Sequence, residues 1–152
     1  MNDLPEREKE IMNMKKLTVL LAAWFMLTAC GSSEEAKTGS AETAKDAKGD
    51  YASAKITVKG DAVESITLDE TKDGKSKKEL GANYNMKPHS KIKKEWNKQV
   101  EFLEKYIVKN GIDKVELTDQ GYPKNDDVLA GCTINITNLM QAAKDAEAAA
   151  KK

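Results

Sequence analysis

The sequence predicts an α+β domain, a small antiparallel sheet with two main helices, preceded by a signal peptide and a disordered tether. Three observations predict it. Ala54, Ile56 and Val58 alternate with Lys55, Thr57 and Lys59, the two-residue period of a half-buried strand. Trp96, Val100, Leu103 and Ile107 recur at helical spacing among lysines and glutamates. Beyond them the run DDVLAGCTINIT, residues 126–137, reads as a structured turn feeding an alanine-rich second helix.

The chain has 152 residues, which suits one domain. Lys15 and Lys16 precede an apolar run over residues 17–26, followed by Leu27-Thr28-Ala29-Cys30-Gly31. That order is a secretory signal ending in a lipobox. Leu27 lies three places before the cut, small Ala29 fits at it, and the Cys30 thiol accepts a diacylglyceryl group. The apolar run falls well short of the roughly 20 residues a membrane span needs. Residues 1–29 are therefore expected to be the signal peptide. Translation is expected to start at Met14 or Met12, because Glu6, Glu8 and Glu10 do not belong in a basic leader. Residues 30–50 are expected to be a lipid-anchored tether, since residues 31–50 contain no large apolar side chain to offset their ordering entropy. The lipid would hold the protein on the extracytoplasmic face of the cell membrane.

The folded domain is expected over residues 51–152. Gly60 and Asp61 supply a turn between the first alternating run and a second over residues 63–69, which makes a β-hairpin. Residues 71–78, TKDGKSKK, read as a solvated loop. Ser90 is placed to cap a helix over residues 91–110, with Ile92 joining the stripe of Trp96, Val100, Leu103 and Ile107, and Gly111 ending it. Residues 112–117 suit a further short strand. Thr137 is placed to cap a final helix over residues 138–149 that buries Leu139, Met140 and Ala143.

Charge and cysteine content exclude several functions. With 25 basic and 25 acidic residues there is no net field to recruit nucleic acid. The two cysteines, Cys30 and Cys132, offer neither a disulfide framework nor a metal-binding spacing, so no metal site is expected. Cys132 reads as a small packing residue or a reactive thiol, His89 as a solvated loop residue, and Trp96 as core. A monomer is expected.

Asp127-Val128-Leu129-Ala130-Gly131-Cys132-Thr133 resembles the D-x-x-[ST]-G-A-[TS] motif of FMN-binding domains. The segments Leu80-Gly81-Ala82-Asn83-Tyr84-Asn85-Met86-Lys87 and Glu95-Trp96-Asn97-Lys98-Gln99 resemble lipid-anchored members of that family from Gram-positive bacteria. The resemblance implies a Gram-positive surface flavoprotein that carries electrons from a membrane redox donor to an external acceptor. It implies FMN joined to Thr133 through a phosphoester by a separate flavin transferase, so the chain itself need not be an enzyme. Gly131 would let the transferase approach, Asp127 would orient the acceptor, and the helix start after Thr133 would favour the phosphate. Tyr84 and Tyr122, in loops, are the candidates to stack on the flavin ring. The chain departs from the motif at Ala130, where Ser or Thr is usual, and at Cys132, where Ala is usual. Non-covalent flavin binding therefore stays open, as does Thr133 closing a turn. So does a surface lipoprotein whose cofactor-free domain binds a ligand or partner.

Overall fold

The computed structural model describes residues 34–152. The signal segment, the candidate start codons and Cys30 lie outside the described residues. The fold is α+β, as expected: four antiparallel strands in the order β1-β2-β3-β4, with two main helices. Strand β1 spans Lys37–Glu42, β2 Ala52–Lys59, β3 Ala62–Lys72 and β4 Lys75–Ser76. The helices are α1, Lys77–Leu80; α2, Trp96–Asn110; α3, Asp126–Leu129; and α4, Thr137–Ala150. Short 3₁₀ turns occupy Gly81–Tyr84 and Ile112–Lys114. No helix of the described residues is long and apolar enough to cross a membrane.

The expected hairpin is present, with Lys59 opposite Ala62 across the Gly60-Asp61 turn and a bulge at Thr57/Val58. Strand alternation follows: Ala52, Ala54, Ile56 and Val58 are buried, and so are Val63, Ile66 and Leu68 on β3. One face of the sheet is covered, by α4 across β1 and β2 and by α2 across β3. Ile56, Leu68, Trp96, Leu103, Ile107, Ile136 and Leu139 fill the space between. Each aliphatic side chain so buried contributes roughly 1.5–3 kcal/mol. The far edge of β3 meets α2 through Glu104, whose carboxylate accepts the Leu68 backbone N–H at 2.6 Å and pairs with Lys78.

Five local expectations are corrected. The stretch read as tether contains a strand, because Lys37–Glu42 pairs along its whole length with β2. Its inward positions needed no large side chain. At Gly39 an added Cβ would lie 2.0 Å from the Ala146 carbonyl oxygen, so the α4 backbone rests directly on the strand. Small Ala142, Ala143, Ala146 and Ala150 make that approach possible. The loop expected over residues 71–78 is a hairpin followed by a helical turn. Asp73 and Gly74 have φ of 52° and 74°, the left-handed pair that a two-residue hairpin turn requires. Both their amides are held by the Asp50 carboxylate, at 3.0 and 3.1 Å.

Helix α2 begins at Trp96, not at Lys91. Ser90 caps no helix; its buried hydroxyl accepts from the Ile92 and Lys94 amides in the turn before it, and Ile92 sits in that turn. Residues 112–117 form a 3₁₀ turn and a single bridge, Leu117 to Pro123, in place of a strand. Thr137 is the first helical residue of α4 and not its cap. The Asn135 side chain takes the Thr137 amide at 3.0 Å instead.

Candidate functional site

Gln99 organises this region. It lies on the inward face of α2 and is fully buried. Its oxygen accepts from the Thr133 backbone N–H at 2.9 Å and from the Thr133 hydroxyl at 3.3 Å. Its nitrogen donates to Ser90 Oγ at 3.0 Å and to the Lys94 carbonyl at 3.1 Å. A carboxamide has two donors and two acceptor positions, so all four are used and burial leaves nothing unsatisfied. Thr133 is thus held at two atoms while remaining half-exposed.

The rest of the motif packs around that anchor. Gly131 is buried beneath Phe102, and an added Cβ there would meet the ring at 2.2 Å. Close packing inside the domain therefore demands glycine at 131, whatever approaches from outside. Cys132 is fully buried, and burial pushes its thiol up to about 11, so it is a core residue and not a reactive one. Ala130 is exposed on the turn that ends α3. Asp127 is exposed and its Oδ1 accepts the Val128 amide at 3.0 Å. It also neighbours Tyr106. Burial, then the hydrogen bond and charge of Asp127, hold the Tyr106 hydroxyl above its ordinary range. The same hydroxyl donates to the Lys114 carbonyl at 3.5 Å, at the limit of hydrogen bonding.

Tyr84 is half-buried against Trp96, ring centroids 6.4 Å apart and planes at 74°. The Lys77 ammonium lies 5.2 Å from the centroids of both rings and 2.6 Å from Glu70. Burial draws the Lys77 ammonium down, but the hydrogen bond and charge of Glu70 outweigh it and hold it above its ordinary value. Beside Lys77 opens a cavity of about 250 Å³, lined also by Tyr51, Thr71 and Asn138 near the start of α4. Tyr122 is 43% exposed in a turn whose ends meet through Thr118.

Of the expected site residues, Gly131 and Thr133 converge on α2, and Tyr84 joins them through Trp96, one turn from Gln99. Asp127 faces Tyr106. Tyr122 stands apart near the start of α4, where its neighbour Gly121 contacts Thr137. Cys30 lies outside the described residues. Gln99, Phe102 and Lys77 were not singled out as site residues from the sequence, and Ser90 was read only as a helix cap. Gln99 could have been, as an amide adjoining an otherwise apolar helical stripe.

Of what a phosphoester-linked flavin would need, the residues present supply the acceptor hydroxyl. Thr133 offers a fixed, half-exposed hydroxyl, and an aromatic pair and an ammonium lie along the same end of α2. Asn97 Oδ1, also at that end, is buried with no partner among the described residues. Among those residues no cluster of His, Cys, Asp or Glu is arranged to hold a metal ion.

No family model matches the chain, and no curated protein does either. The fold is similar to the solution NMR structure of a protein from Clostridium thermocellum, with TM-score 0.52 and 24% identity over 78% of this chain and 93% of that one. At that identity the likeness supports the α+β fold alone.

Proposed function

We propose that this chain is a lipid-anchored, extracytoplasmic flavoprotein that carries electrons through FMN joined to Thr133. The observation that carries the reading is the Gln99 anchor. A threonine that merely closed a turn would need one bond to nearby backbone, whereas Thr133 is held at both N and Oγ1 by a buried side chain 34 residues away. Such an anchor fixes the hydroxyl before any transferase arrives, which is the positioning that group transfer requires. When bound, FMN supplies the electron-accepting and electron-donating chemistry. The chain's own residues hold and orient. Gln99 and Gly131 set the loop, and half-buried Tyr84 is the aromatic nearest the surface at that end of α2.

The reading is tested by the intact mass of mature protein coexpressed with a flavin transferase. An added FMN that disappears in Thr133→Ala is the expected result, and Cys30→Ala is expected to release the protein from membranes with FMN still attached. The second reading is a cofactor-free surface lipoprotein that binds a ligand or partner. It is favoured by the internal bond that the Thr133 hydroxyl already makes. Colourless protein of unmodified mass, with no affinity for FMN, would establish it and end the first.

A further inference from the structure

We propose that the loop over residues 87–94 is a docking surface for an acidic protein partner at the Thr133 end of the domain. The inference rests on the placement of lysines and is independent of what Thr133 carries. The chain as a whole balances 25 basic against 25 acidic residues, yet between Lys87 and Lys98 five lysines face one glutamate. That glutamate is occupied: Glu95 Oε2 accepts the Met86 and Lys87 amides at 3.0 and 3.2 Å. Lys98 pairs with Glu101. Lys87, Lys91, Lys93 and Lys94 are exposed and make no ion pair among the described residues. Positive charge left uncompensated over so short a stretch raises the local potential and steers negatively charged partners.

The lysines are displayed on a fixed frame. The His89 and Ser90 amides both bond the Met86 carbonyl at 2.9 Å, and the Lys93 amide bonds the Ser90 carbonyl at 3.1 Å. Buried Ser90 ties the turn to Gln99. The same Gln99 holds Thr133, and the Lys94 ammonium lies 5.8 Å from the centroid of Phe102, the ring on which Gly131 packs. A partner seated on these lysines therefore sits over the turn that Gln99 ties to the half-exposed Thr133.

A protein face is favoured over a lipid surface. Adsorption to a bilayer adds an apolar face to the charged one, and among the described residues the large exposed apolar side chains, Val108 and Tyr122, both lie outside the loop. Met86 and Ile92 are half-buried.

The test uses the full mature chain, isotopically labelled, titrated at low salt with a polyglutamate peptide standing in for an acidic protein face. Amide shifts concentrated in residues 87–94 and 131–133 are expected. Lys87→Glu/Lys91→Glu, at exposed positions that leave the frame intact, is expected to weaken binding about tenfold, while Lys105→Glu/Lys109→Glu changes it by less than about twofold. Equal loss in both double variants, or shifts spread over every lysine, would overturn the proposal. So would tighter binding of the same residues to phosphatidylglycerol vesicles than to the peptide, which would make the surface a lipid contact.

Discussion

One methyl group added at Gly39 should separate α4 from the sheet. The new carbon would sit 2.0 Å from the Ala146 carbonyl oxygen, 2.5 Å from the Ala150 nitrogen and 3.0 Å from its Cα. All three are backbone atoms, so none can swing aside. Ordinary contact distances are about 3.5 Å or more, and the helix must retreat by over about 1 Å along the seam of buried alanines. Overpacking of this kind costs about 1–3 kcal/mol, and a clash with rigid helix backbone belongs at the upper end. Gly39 is not among the residues with left-handed backbone, so the substitution also removes about 0.4–1 kcal/mol of unfolded-chain entropy in its own favour. The net loss is about 2 kcal/mol. At a urea slope of about 2 kcal/mol/M, the unfolding midpoint should fall by about 1 M. Ser40→Ala, at the exposed neighbouring position of the same strand, serves as control and should leave the midpoint within about 0.25 M of the parent. An unchanged or raised midpoint for Gly39→Ala would mean that β1 does not lie under α4, and residues 37–42 would revert to the free tether their composition suggests.

Two further outcomes are expected. Gln99→Leu strands the Thr133 amide and Ser90 without their partner, so it should destabilise the domain by about 2–4 kcal/mol. The melting temperature should then fall by about 8 °C or more, and a drop below about 2 °C would remove Gln99 from the centre of the site. The Asp50 carboxylate is held below its usual range by the Gly74 and Asp73 amides, so its contribution is present above the ordinary carboxylate value and lost as pH falls through its lowered one. Asp50→Asn should accordingly be less stable than the parent at pH 7, and the gap should begin to close only as pH falls below about 4, in denaturant titrations; a gap that does not narrow with acid would refute the sign.

The legible parts of the fold were those in which large apolar residues carry the periodicity. Ile56 and Val58 on β2, and Trp96, Val100, Leu103 and Ile107 on α2, announce their elements because burial and pattern coincide. Strand β1 carries no such signal. Its inward positions, Gly39 and Ala41, are set by how closely a helix of alanines approaches, a fact held by two distant segments jointly. Ser90 misled as a helix cap because its hydroxyl has the right chemistry for capping and spends it on a turn and on Gln99. The Thr133 loop was legible as a motif, but its support was not. Gly131 answers to Phe102 and Thr133 to Gln99, and each pairing spans about thirty residues that local pattern cannot connect.

Glu104 has a consequence beyond the two partners it binds. Its carboxylate lies across the rim of β3 where β4 no longer pairs, occupying the Leu68 amide that would otherwise be free to recruit a strand from another molecule. A negative group stationed there repels an incoming backbone carbonyl as well as denying it a donor. A single side chain thus closes the Leu68 position of that rim to an incoming strand.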